Sequence, residues 1–174
     1  MTTVEQPIRR LARNRAQAGE QRGFYADLVQ AGVEWNVTTT IDPAKPAPAA
    51  VAELLGVTEA TPVLARARRM ATTDAPLQLA TSWFSPAIVE QLPILAEDNT
   101  GPGGMYSRFE DAGYTLEHTD IVGAREASQE EIADLELDKP VVMTILRIVR
   151  DAATDTVLEV GTLTLAGGRQ ELIY

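Results

Sequence analysis

Apolar side chains recur at Phe24, Leu28 and Ala31, the spacing of one helix face, and Gly32 closes that segment. From Val33 to Ile41 the pattern changes to alternation rich in β-branched residues, which predicts a strand. Asp42 to Pro48 reads as a loop, and Ala49 to Leu55 as a short helix stopped by Gly56. Two β-rich arms follow, residues 63–72 and 77–84, around the turn Thr73-Asp74-Ala75-Pro76; together they predict a hairpin. A short helix is expected over residues 86–92. From Thr100 the chain runs through Gly101, Pro102, Gly103 and Gly104, then places Met105, Phe109 and Ala112 at i, i+4 and i+7 before Gly113. That is a loose turn feeding a short helix with one apolar face. Residues 114–126 read as a long strand bulged at Gly123, and Ser128-Gln129-Glu130-Glu131 spells a capping box ahead of a helix over 132–137. Residues 141–150 are apolar on both faces and belong inside a sheet, 156–165 return as the hairpin partner, and 170–174 add a last strand.

Strands joined as hairpins, with helices between the pairs, predict an α+β fold: a mostly antiparallel β-sheet with flanking short helices. At 174 residues the chain is one domain with a short appendage, without internal repeats. No apolar run approaches the ~18 residues of a membrane span, and the first residues lack the apolar centre of a signal peptide. The chain has no cysteine, which excludes disulfides, thiolate chemistry and cysteine-based zinc sites. These features predict a cytoplasmic protein without a membrane partner. The net charge of −10 argues against attraction to nucleic acid phosphates by the chain as a whole. Residues 1–22 differ, with Arg9, Arg10, Arg13, Arg15 and Arg22 against Glu5 and Glu20; they read as a basic linker or arm ahead of an acidic domain spanning 23–174.

The chemistry points to binding. Arg66 and Arg68 share a strand face with Leu64 and Met70, while Arg69 points the other way. Two guanidiniums on a half-apolar face suit a carboxylate or phosphate, or else form a solvated face paired with surface acids. The helix start at Gly103 and Gly104 leaves backbone N–H groups uncovered at the positive end of a dipole, which suits an anion as well. Tyr106 offers a hydroxyl to a ligand or packs its ring. Glu159 is a lone carboxylate in an apolar strand, placed for a ligand hydroxyl or amide or for an ion pair with Arg68. His118, the single histidine, is expected to face solvent, so no metal site and no cofactor are expected. No nucleophile triad, Walker loop or dinucleotide fingerprint is present, and no catalytic residue is assigned.

The order of these features resembles the UTRA (UbiC transcription regulator-associated) domain, the effector-binding half of HutC-type GntR transcription regulators. The resemblance rests on the helix ending at Gly32, the Gly56-terminated helix, the Arg66-x-Arg68 arm with Asp74-Ala75-Pro76 at its turn, and Thr81 to Pro86 closing the hairpin. Gly103 to Tyr106, Ala124-Arg125 before Ser128 to Glu131, Pro140 to Met143, and Val157 to Glu159 complete it, over roughly residues 23–174. It implies a chorismate-lyase-like fold that binds a small-molecule effector and forms a homodimer. It also implies that Arg66, Arg68, Gly104, Tyr106 and Glu159 contact the ligand, and the exposed helix start adds Gly103. Gly104 stands where a serine is often found, and Leu165 where sugar-phosphate binders often carry tyrosine. The family's winged helix-turn-helix is missing from residues 1–22, so this chain is not expected to bind duplex DNA specifically. The alternative is a small chorismate-lyase-like enzyme acting on a carboxylate substrate, because that relative of the fold uses arginine and glutamate in comparable places.

Overall fold

Two sheets carry the chain in the computed structural model, which describes residues 7–11 and 24–173. The larger has six strands: β2 (Trp35–Pro46), β3 (Pro62–Thr72), β4 (Pro76–Phe84), β5 (Leu116–Glu126), β6 (Val141–Asp151) and β7 (Val157–Ala166). Their order is β2-β3-β4-β7-β6-β5, and every pairing is antiparallel. The smaller sheet pairs β1 (Ile8–Leu11) in parallel with β8 (Gln170–Ile173). Helices α1 (Phe24–Ala31), α2 (Ala49–Leu55), α3 (Pro86–Gln91), α4 (Gly104–Asp111) and α5 (Gln129–Asp134) fill the connections, with a 3-10 turn at Pro93–Ala96. This is the α+β, mostly antiparallel architecture that the patterning predicts.

The middle of the sheet is covered on both faces. On one side α2 packs Val51 and Ala52 against Val63, Ala65, Trp83 and Val160, and further along Leu135, after α5, meets Val142 and Ala166. On the other side Met105 and Phe109 of α4 join Ile88, Leu95, Leu64, Phe84 and Leu158. A third cluster gathers Ile8, Phe24 and Leu28 around Met70 and Leu77, which ties β1 and α1 to one end of the sheet.

Three expectations are corrected. Strand β2 continues through the supposed loop at 42–46, with a register shift between Asp42 and Lys45. It is an edge strand, where Pro43 and Pro46 need no partner for a missing N–H, and the bulge absorbs the misfit. Residues 8–11 of the expected arm form a strand, because β8 offers them a parallel partner; residues 12–23 lie outside the described part. Gly123 makes no bulge: β5 stays in register with β6 throughout, and Gly123 faces Thr144. A Cβ at Gly123 would come within 3.1 Å of the Thr144 hydroxyl, so close approach accounts for the glycine. The expected last strand forms as β8, in the small sheet.

The predicted capping box forms, one turn earlier than the helix expected from it. Ser128 Oγ accepts from the Glu131 backbone, and Glu131 Oε2 accepts from the Ser128 N–H at 2.9 Å. Arg125 grips the same carboxylate through both terminal nitrogens, and Thr164 donates to it from the sheet. These bonds, the Arg125 guanidinium foremost, hold the Glu131 carboxyl at about 2, against an ordinary value of 4.5. A depressed carboxyl favours the fold above the unfolded value and loses that contribution as pH falls toward the folded one. The stability advantage of wild type over Glu131→Gln is therefore expected to hold above pH 4.5 and to shrink as pH drops toward 2. Urea midpoints across that range test this; parallel curves for the two proteins would refute it.

Candidate functional site

Strand register lines up side chains in rows across the α4 face of the sheet. One row runs Arg66, Ser82, Gly161, Arg147, Asp120 over β3, β4, β7, β6 and β5. The next toward α1 runs Thr39, Arg68, Ala80, Leu163. Two residues on, Met70 faces Gln78, while Glu159 lies one step beyond Gly161 in the opposite direction. Over this floor lies a cavity of about 420 Å³, roofed by residues 98–106 and walled at one end by α1 and the start of β2. Gly161 contributes no side chain, which keeps the middle of the floor open.

The roof turns on two successive left-handed glycines, Gly103 (φ 77°), the N-cap of α4, and Gly104 (φ 66°), its first residue. The conformation at 104 would strain a serine, which accounts for the glycine there. Residues Gly103 to Tyr106 line the cavity, so the first turn of α4 opens onto it.

All six residues proposed from sequence line this one space, with differing commitments. Arg66 is 5% exposed and donates to the carbonyls of Leu95 (2.8 Å), Glu97 and Asp98 (3.2 Å). It pins the roof to the sheet. Burial, and next the like charge of Arg68, push its pKa down. Arg68 gives one bond, Nη2 to Ser82 Oγ at 2.8 Å, and its buried Nε has no partner. Among the described residues no ion pair joins it to Glu159. Tyr106 spends its hydroxyl on the protein, between Arg147 and Glu159; burial, then the Glu159 charge, raise its pKa well above the usual range. Glu159 is 2% exposed and keeps Oε2 without a partner.

His118 does not face solvent as expected: it is half-buried with its ring edge-on to Tyr106, centroids 5.0 Å apart. Arg69 lies on the opposite face, bonded to the Asp134 carbonyl and to Glu136, so Arg66 and not Arg69 belongs to the cavity.

Two cavity arginines escape the sequence reading. Arg147 makes a buried bidentate pair with Asp120, at 2.8 and 2.9 Å. Burial opposes its charge, but Tyr106 and Asp120 outweigh that and raise its pKa. Its signal in the sequence is the one that flags Glu159, a lone charge inside an apolar strand. Arg10, from the supposed arm, donates to Gln78 Oε1 at 2.9 Å and lies 4.7 Å over the Phe24 ring. Four arginines (Arg10, Arg66, Arg68, Arg147) thus line the cavity with two carboxylates (Asp98, Glu159), and with Arg147 matched by Asp120 three arginines still face those two, in a chain of net charge −10. A low-dielectric wall of that sign concentrates anions.

A family profile described as the UTRA domain matches residues 38–170. The chain is 36% identical over 126 residues to an uncharacterized HTH-type transcriptional regulator of Streptomyces coelicolor, an alignment covering 68% of this chain. It spans 46% of that relative's length. Among solved structures, PhnF from Mycobacterium smegmatis superposes with a TM-score of 0.76 at 17% identity, covering 96% of this chain and 70% of that one. The effector domain of the same protein gives a TM-score of 0.71 at 20% identity, covering 95% of this chain and 97% of that domain. At such identities the structural likeness establishes the fold.

Proposed function

This chain belongs to the UTRA domain family, the effector-binding domains of GntR-family transcription regulators, and from that premise we propose that its cavity binds a small anionic metabolite as the effector of a HutC-type regulator. The observation that carries the anion is Arg68, a cavity guanidinium with one protein hydrogen bond and an unpartnered Nε. Beside it the first turn of α4 adds backbone N–H groups. Burial and then the Arg68 charge lower the Arg66 pKa, and an anion between Arg68 and that turn would offset the second of these. Glu159 Oε2 supplies an acceptor for a hydroxyl or amine on the same ligand. We assign the domain no catalysis, and a cytoplasmic location follows from the regulator reading.

Native mass spectrometry of the purified protein, followed by identification of the released compound, tests this. A retained phosphate or carboxylate is expected. A neutral or cationic compound would refute the anion site, and release of 4-hydroxybenzoate from added chorismate would replace the regulator reading with the lyase.

We also propose a two-fold homodimer. Strands β2 and β5 are open sheet edges, and Ile121 and Val122 on β5 and Val141 on β6 are exposed. Such edges and apolar side chains call for cover. Sedimentation at micromolar protein should give twice the chain mass, and a monomer would overturn the proposal.

A further inference from the structure

Resting on the anion reading of the cavity, we propose that it also holds an apolar subsite beyond Arg68, so that the effector carries an aromatic or similarly flat apolar group on the side of its anion away from Glu159. The rows set the geometry. Glu159, Gly161 and Leu163 step along β7, with Gly161 in the Arg66 row and Leu163 in the Arg68 row. Met70 and Gln78 lie one step further. Each step of two residues advances about 6.6 Å, so the floor runs for about 20 Å from Glu159 to Met70. A carboxylate or phosphate at Arg68 occupies only the middle of it.

The far end has a different chemistry. Met70 forms its floor, and Phe24, Tyr25 and Trp35 close it from α1 and β2. Tyr25 and Trp35 are only half-buried, tilted by 49° with centroids 6.3 Å apart. Among them Arg10 donates to Gln78 and lies over the Phe24 ring, and Gln78 donates to the Met70 sulfur. A neutral hydroxylated substituent set among the rings there would lose water without gaining matched partners. A flat ring would gain edge and face contacts with the two aromatics. A cavity of this volume, polar around Arg68 and apolar around Met70 and Trp35, suits a ligand larger than a bare anion.

Calorimetry with methyl phosphate and phenyl phosphate, equal in charge, tests the subsite on the whole chain and on Trp35→Ala and Trp35→Phe. Wild type should bind phenyl phosphate about tenfold tighter or more. Trp35→Ala should erase most of that ratio, and Trp35→Phe should keep much of it. Equal affinity for the two probes in wild type, a comparison that needs no variant, sinks the subsite and leaves the anion site standing. So does an unchanged ratio in Trp35→Ala. Failure of wild type to bind either probe overturns the anion site and the subsite together.

Discussion

Arg68→Ala is expected to weaken binding of a phosphate-bearing ligand by about thirtyfold or more, with the fold retained. Removing one partner of a desolvated, hydrogen-bonded charge pair costs about 2–5 kcal/mol, and the lower bound already corresponds to that factor. Little opposes it on the stability side. The side chain gives the protein one hydrogen bond, to Ser82, and its charge bears on Arg66, where it lowers the pKa. Arg66→Ala should behave differently, because that guanidinium, though it lines the cavity, is spent on the Leu95, Glu97 and Asp98 carbonyls. Its loss should lower thermal stability and loosen the roof, weakening ligands indirectly. Calorimetry with methyl phosphate, beside thermal unfolding of each variant, separates the two. Unchanged affinity in Arg68→Ala would return that arginine to a structural role.

The contrast between these neighbours shows what the sequence could and could not convey. Period-two alternation from Pro62 to Phe84 made the hairpin legible and put Arg66 and Arg68 on one face, which the structure keeps. It could not reveal that carbonyls some 30 residues later would claim Arg66, because the fold of residues 95–98 decides that. Glu159 stood out as a charge in an apolar strand. Arg147 carried the same signal, but its partner Asp120 lies on another strand and the two meet only through the β5–β6 register. The Ile8–Leu11 strand had no local signal either, since a four-residue basic segment becomes a strand only beside β8. Prolines 43 and 46 argued against a strand, and the argument failed because β2 is an edge. Local patterning thus placed the elements, while commitments made across the sheet settled which polar groups stay available to a ligand.

Arg147 gives the largest expected loss of stability. Both it and Asp120 are buried, with side chains 8% and 6% exposed, and two hydrogen bonds join them. Breaking such a pair from one side strands the other charge away from water and costs about 3–5 kcal/mol. Arg147→Ala should therefore unfold at markedly lower urea. It also removes the Tyr106 hydroxyl's donor, leaving that group with Glu159, so the Glu159 end of the cavity should loosen as well. Replacing both charges, Arg147→Met with Asp120→Leu, should recover much of the loss, since an apolar pair of similar volume carries no desolvation cost. The penalty should persist at high salt, because buried charges are weakly screened. Urea titrations of the single and double variants decide the matter: a single variant within about 1 kcal/mol of wild type would show that the pair behaves as a solvated one, and the account of the cavity's rigid end would fall with it.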